Sequence, residues 1–441
     1  MKRSAWLKGM LAVLALVVAT APLAPAVADS NQVFIPLLVY RTGPYAPSGI
    51  PNANGFQDYF NLLNERDGGI NGVRIAVEEC ETQYDTKQGV ECYERLKAKA
   101  VLVNPYSTGI TYQLIPKAPG DKIVVHSMGY GMTASADGRW FPWVFNFPMT
   151  YWSQASAFIK YAAQIEGGMD KLKGKKIVHV FHNSPYGKEA NPTLEALAKM
   201  HGFELTLLAV DHPGQEQKAT WLQVRRINPD WIYLSGWGVM NGVAVKEAAA
   251  IGYKMDRLVG NWWSGSESDV VPAGDGAKGY KSMTFHAPGA NFKVHQDVIK
   301  HVYDKGKGAT KKESLGEVYH NRGMINAMLN AEAVRTAMQK YNLKTAPNAE
   351  QVRWGFENLN LTDQRLEQIG FKGVIRPLRV TCENHEGNGM AAVQQWDGKA
   401  WKIVSDWMEP MRDVVRPALE AAAVQEGGKL SYTQRDCSKE K

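Results

Sequence analysis

The chain has 441 residues, a formal net charge of +7 and 22% charged residues. That length suits two domains of ordinary size, and the thin spread of charge, with no basic run, excludes a nucleic-acid-binding patch. No stretch reaches the ~18 consecutive apolar residues that a membrane-spanning helix needs.

The first 28 residues read as a cleaved secretion signal. Lys2, Arg3 and Lys8 form a basic start, Met10 to Thr20 an apolar core, and Ala26-Val27-Ala28 an A-x-A cleavage site. This segment supplies three of the positive charges, so the remainder, from Asp29, carries +4. No cysteine lies near the cleavage site, so a lipid anchor is not expected, and the mature protein is placed in the periplasm or outside the cell.

From Val33 onward strands and helices alternate. Val33–Tyr40 reads as a strand, Gly55–Asn64 as part of a helix, Val73–Glu79 as a strand and Thr86–Lys99 as a helix. Val101–Val103 and Ile123–His126 are the next strands, with a helix from Ile110 between them, and Val144–Phe147 is a strand leaving the first lobe. A second set follows: helix Ser153–Ile165, strand Ile177–Phe181, helix Lys188–Met200, strand Leu205–Val210, helix Gln217–Ile227, strand Trp231–Leu234 and helix Val243–Ile251. Strands Arg257–Gly260 and Ser282–Phe285 and helices Phe292–Lys305 and Leu315–Tyr341 complete it. Helices of this length between strands imply parallel sheets, and two such sheets imply two lobes with a cleft between them.

Ala100 to Ile115 is the stretch around which a site would form. Val101 to Val103 is a buried strand, Asn104-Pro105 ends it, and Ser107-Thr108-Gly109 opens a helix. Hydroxyls and unpaired N–H groups beyond the carboxyl end of a parallel strand suit an anionic group, although either hydroxyl also reads as a simple N-cap. The chain has 13 Trp and 18 Tyr, more than two cores require, so some are expected to line a binding surface. Four cysteines in an exported chain suggest disulfides. Cys80 closes a strand and Cys92 lies in the next helix, which makes them the natural pair, and Cys382–Cys437 would then staple the tail to the body.

In order and spacing these segments resemble the periplasmic solute-binding proteins of ABC importers, in the branched-chain (leucine/isoleucine/valine-type) amino-acid family. The resemblance runs from about Val33 to Arg376 and rests on Thr42-Gly43-Pro44-Tyr45-Ala46, Asn64-Glu65 with Gly68-Gly69-Ile70-Asn71-Gly72, Pro105 to Thr111, and Ser184-Pro185-Tyr186-Gly187. It implies an α/β, two-lobed type I periplasmic binding fold whose three crossovers form a hinge. On that reading lobe 1 comprises 29–148 and 283–375, and lobe 2 comprises 149–282 and 376–441 with a C-terminal extension. The implied partners are a small-molecule ligand and the permease and ATPase subunits at the inner membrane. A monomer is expected, with no cofactor, metal or nucleic acid.

The family's ligand contacts map residue by residue. Its carboxylate-holding hydroxyl loop falls on Ser107 and Thr108, and its second carboxylate loop on Gly129, Tyr130 and Gly131, with Gly131 where relatives often place a threonine. The ring of its D-x-x-Y-G loop is Tyr186, and the aromatic after a later strand is Trp237. Amino-acid-binding relatives carry an acid for the ligand's ammonium where Trp262 stands here. A buried ammonium without a carboxylate costs roughly several kcal/mol. A cation–π contact returns only ~0.5–2 kcal/mol. The expected ligand therefore has no free α-amino group, with Glu267 the nearest substitute acid. Tyr45, Tyr151, Trp152, Trp262 and Trp263 complete an aromatic wall suited to an apolar or aromatic carboxylate. Trp152 and Trp263 fit core or surface packing equally well, and Trp140 and Trp143 fit the region connecting the lobes.

The competing readings are import of a branched-chain or aromatic amino acid, and a periplasmic sensor or regulator. His126, His179 and His182 lack a third convergent ligand and read as structural, as does His385 beside Cys382. Glu267, Asp269 and Asp275 read as a solvated loop face. No nucleophile with its base can be named, so an enzyme is not expected.

Overall fold

The computed structural model describes residues 31–440, so the expected secretion signal lies outside the described residues. Strands β1 (Gln32–Val39), β2 (Arg74–Glu81), β3 (Leu102–Val103), β4 (Val124–His126) and β5 (Val144–Phe145) run parallel in the order β2-β1-β3-β4-β5. β1 and β3 meet at a bridge between Leu37 and Asn104, and beside it Pro36 withholds a ladder donor. A second parallel set repeats the arrangement: β6 (Lys176–His182), β7 (Glu204–Val210), β8 (Trp231–Ser235), β9 (Leu258–Gly260) and β10 (Lys281–Thr284), in the order β7-β6-β8-β9-β10. Helices flank both sheets, which is why their central strands are apolar on both faces.

A ribbon of β11 (Asn360–Leu361) and β12 (Leu378–Arg379) follows, and then β13 (Ala392–Trp396) and β14 (Trp401–Ile403) extend the second sheet beyond β10 as antiparallel strands. The chain crosses between the two lobes after β5, after β10 and after β12, and its tail returns to the first beyond β14. The boundary drawn at 282/283 falls inside β10. Residues 376–441 divide: β13 and β14 join the second sheet, whereas the Tyr432 hydroxyl donates to the Ile115 carbonyl and Arg435 Nε to that of Gly138, both beside the first. Both expected disulfides are formed, each with Cα atoms 5.8 Å apart.

The first helix is longer than its pattern suggests, running Ala46–Asp67 rather than starting near Gly55. Pro47 costs nothing in the first turn, but Pro51 lies inside the helix and gives the segment the look of a loop. Packing holds the helix here, with Gly49 against Tyr40. Gly55 and Gly323 let this helix cross the long helix Val318–Lys340 with backbones touching. A Cβ at either glycine would sit 1.9 Å from the carbonyl oxygen of the other helix. Beside that crossing Asn52 Nδ2 lies 3.3 Å from the Tyr130 hydroxyl, and the Tyr319 hydroxyl donates to the Trp263 carbonyl at 2.6 Å. No helix among the described residues is long and apolar enough to cross a membrane.

Candidate functional site

In each parallel set the strand order reverses between the first and third strands, and a crevice opens at their carboxyl ends. The first set contributes Tyr40 after β1, the Ser107-Thr108 turn after β3 and the Gly129-Tyr130-Gly131 loop after β4. The second contributes Tyr186 after β6, Trp237 after β8 and Trp262-Trp263 after β9. The two crevices face one another, and all the aromatic residues named are buried.

Their rings form one continuous cluster. Trp237 is its hub, with ring centroids 5.2 Å from Trp263, 5.7 Å from Tyr319, 6.0 Å from Tyr40, 6.3 Å from Tyr130 and 6.5 Å from Tyr186. Tyr130 lies 4.3 Å from Trp263, and Tyr151 stacks on Trp262 at 5.6 Å. Gly129, at φ +76°, permits this closeness, since a Cβ there would meet the Trp262 ring at 2.8 Å. Trp263, for which core packing was an equal reading, belongs to the cluster. Trp152 instead lines an open groove outside it, and Trp140 lies under Gly427 of the C-terminal helix.

The polar groups divide into engaged and orphaned. Ser107 is the N-cap of helix Thr108–Leu114, its Oγ accepting from Ile110 N at 3.4 Å. The Tyr186 hydroxyl donates to the Gly236 carbonyl at 2.8 Å, and that of Tyr130 lies 3.3 Å from the Tyr40 hydroxyl. By contrast, the Thr108 and Tyr151 hydroxyls and the indole N–H groups of Trp237, Trp262 and Trp263 are buried with no hydrogen-bond partner. Each buried, unpaired donor costs ~1–3 kcal/mol, so five in one cluster mark a place that something else satisfies.

Arg322 is a buried charge beside the cluster that sequence reasoning missed. It is fully buried, donates to the Trp262 carbonyl and to His286 Nε2 at 3.2 Å, and packs against Trp263, Phe285 and Tyr319 at 4.8, 4.9 and 5.4 Å. The acids near it are not a solvated face. Asp269 is buried and accepts from Ser266 N, Asn241 Nδ2 and the Tyr319 hydroxyl. Glu267 accepts from Val318 N at 2.9 Å, so the substitute acid for an ammonium is committed to a helix start. Burial pushes Glu267 up to about 7 and Asp269 up to about 6.

Tyr45 and Glu189 also join the crevices. The Tyr45 hydroxyl lies 2.9 Å from both His182 Nε2 and His212 Nδ1, which gives that ring a bridging contact as well as a place at the rim. Glu189, next to helix Pro185–Lys188, reaches the other way. It is buried and accepts from the Tyr112 hydroxyl, from Thr133 N at 3.2 Å and from Thr133 Oγ1 at 2.8 Å. Beyond it lies the groove of about 730 Å³, walled by both lobes and by the C-terminal helix Arg412–Lys429.

The histidines are structural. His126 bonds Asn330 Oδ1 at 2.6 Å and His179 bonds Asn191 Oδ1 and Ser235 Oγ at 2.8 Å, burial holding both at about 4 and therefore neutral. Glu357, Cys382 and Glu440 approach one another, but Cys382 is disulfide-bonded and both carboxylates hold Arg435.

Comparison with known proteins agrees with this geometry. Residues 32–400 match the family profile described as periplasmic binding protein. A crystal structure described as an ABC transporter permease from the Pseudomonas fluorescens group is 41% identical, with a TM-score of 0.86, covering 93% of this chain and 100% of that one. A branched-chain amino acid ABC transporter protein from Thermus thermophilus with bound valine is 20% identical at TM-score 0.72, covering 87% of this chain and 98% of that one. A solute-binding protein from R. palustris in complex with benzoate is 16% identical at TM-score 0.66, covering 86% and 97%. The last two show likeness of fold.

Proposed function

The chain belongs to the periplasmic binding protein family, and from that premise we propose that it closes its two lobes on a small aromatic or apolar carboxylate and delivers it to the permease of an ABC importer. The proposed lobes are those of the sequence reading, with β10 assigned whole to the second and the tail around Tyr432 and Arg435 to the first. The proposed location is the periplasm.

The observation that carries the reading is the cluster of buried, partnerless donors, Thr108, Tyr151 and the three indoles, set among stacked rings. Rings offer a slot for a flat apolar body, and donors offer partners for its oxygens. Helix Thr108–Leu114 has only two turns, so its own dipole is small and the Thr108 hydroxyl carries the contact. Burying one ring of roughly 150–200 Å² at ~25 cal/mol per Å² contributes about 4–5 kcal/mol, which alone corresponds to millimolar binding. Micromolar binding needs ~8 kcal/mol, so the donors must supply the remainder. Nothing in the cluster suits an ammonium, because Asp269 and Glu267 are committed elsewhere.

The test is calorimetry with the mature protein and benzoate, phenylacetate, leucine and phenylalanine. Preference for the simple acids supports the reading. Preference for the free amino acids would establish amino-acid import, as the valine-bound fold relative illustrates.

A further inference from the structure

Arg322 is buried among rings, yet every group it bonds is neutral. A guanidinium has five N–H donors and no acceptor. One terminal nitrogen meets the Trp262 carbonyl, the other meets His286 Nε2 at 3.2 Å, and Nε has no partner. The His286 ring is an acceptor on that side because its Nδ1 donates to the Ala287 carbonyl at 3.0 Å. Burial and the adjacent cation hold this imidazole at about 3, so it adds no charge of its own. Burial also pushes Arg322 down to about 10, which leaves it cationic at neutral pH.

Among the described residues no carboxylate pairs with it directly. Asp269, the acid whose field reaches it, is saturated by Ser266, Asn241 and Tyr319. Ring faces soften the burial of a guanidinium but do not neutralise it. The same Trp263 ring that covers Arg322 at 4.8 Å lies 4.3 Å from Tyr130 and 5.2 Å from Trp237, so the charge sits against the donor-rich cluster and not behind a separate core.

We propose that Arg322 is a specificity-determining residue whose unpaired charge makes the cleft select anionic guests over neutral and zwitterionic ones of the same shape. This rests on the receptor reading above and adds the source of its charge preference. Neutral hydroxyls and indoles discriminate only weakly between an amide and an acid, because a hydroxyl accepts from an amide NH2 as well as donating to an oxygen. A fixed cation in a low-dielectric cluster discriminates between the two. An α-ammonium on the guest would add a second positive charge beside Arg322, which disfavours amino acids independently of any missing acid.

The experiment measures matched pairs by calorimetry: benzoate with benzamide, phenylacetate with phenylacetamide, and leucine with leucinamide. It uses the mature wild-type chain, Arg322→Met and Arg322→Lys. Wild type should favour the acid of its preferred pair by at least tenfold. Arg322→Met should bring that ratio to within about threefold while amide affinity holds, and Arg322→Lys should retain part of it. The unloaded Arg322→Met protein should melt no lower than wild type, since an uncompensated charge has been removed. An unchanged acid-to-amide ratio in Arg322→Met, or equal loss of both guests together with a lower melting temperature, overturns the proposal and makes Arg322 a tie for the Trp262 carbonyl. Failure of the simple-acid reading looks different: leucine would outbind both simple acids in wild type.

Discussion

Glu189 offers the most direct test of closure, because one carboxylate from the second lobe accepts three hydrogen bonds from the first. Glu189→Ala removes the acceptor and leaves the half-buried Tyr112 hydroxyl and both buried Thr133 donors without that partner in the closed form. In an open form water satisfies all of them, so the penalty falls on the closed form alone. Hydrogen bonds to a charged group are worth ~1.5–3 kcal/mol each, and three sharing one acceptor are not additive. The cost of desolvating the carboxylate, several kcal/mol, offsets part of the gain. A net loss of about 2–4 kcal/mol in closure is expected, which is roughly a 30- to 1000-fold weaker ligand affinity. Glu189→Gln, which keeps an acceptor, should fall between. Titration calorimetry measures the affinity, and a melting curve without ligand checks that the fold itself is intact. An affinity within threefold of wild type for Glu189→Ala would refute the reasoning. So would a loss wholly matched by lower stability of the unloaded protein. The pH dependence has a definite sign. Burial raises the Glu189 pKa in the closed form, so that form binds more protons than an open one. Closure therefore strengthens as pH falls from the raised value toward the ordinary ~4.3, and Glu189→Gln should flatten that slope.

Further outcomes follow from the same geometry. Thr108→Val deletes an unpaired buried hydroxyl, so the unloaded protein should melt at the same temperature or higher while a carboxylate binds about fivefold to tenfold more weakly; unchanged affinity would remove Thr108 from the site. Tyr45→Phe loses the contact with His182 and His212, and binding should weaken about fivefold with no change in the guest preferred. Glu267 and Asp269 sit at about 7 and about 6, above their ordinary values, so each holds more proton in the folded chain than in the unfolded one. Their contribution to stability grows as pH falls from 8 toward 5 and opposes the loss from buried neutral histidines such as His126, His179 and His286, so the Glu267→Gln, Asp269→Asn pair should lose stability with falling pH more steeply than wild type in melting curves. Replacing Cys382 and Cys437 by serine opens a bond with a sequence separation of 55. Chain-closure entropy sets an upper loss of about 4 kcal/mol. Proteolysis of the tail after Lys429 should accelerate, and equal cleavage rates would show that the bond does not restrain it.

The fold was legible wherever burial leaves a periodic trace. Val33–Tyr40, Ile177–Phe181 and Trp231–Leu234 are apolar on both faces because helices cover both sides, and their order identified the architecture. β13 left no such trace, since Gln394 and Gln395 interrupt it. Gln394 is nevertheless buried, its amide nitrogen donating to the Gly265 carbonyl at 2.7 Å and lying 3.0 Å from Ser282 Oγ. The aromatic half of the site was readable because Tyr186, Trp237 and Trp262 directly follow strands. The charged half was not. Arg322 and Glu189 are single charges within helical stretches, where a solvated face is the ordinary meaning, and only the crossing at Gly55 and Gly323 or the approach of a second lobe buries them. The same bias hid Asp269, whose partners Asn241 and Tyr319 are distant in sequence.

The repetition of one strand order in two facing sheets has a further consequence. On the proposed reading each half presents an incomplete receptor, one with hydroxyls and a glycine loop, the other with indoles, so neither retains a guest once they part. Occupancy is thereby written into the outline of the whole molecule. A membrane partner need only read that outline to know whether cargo is aboard, and prising the halves apart unloads it without any contact with the cargo.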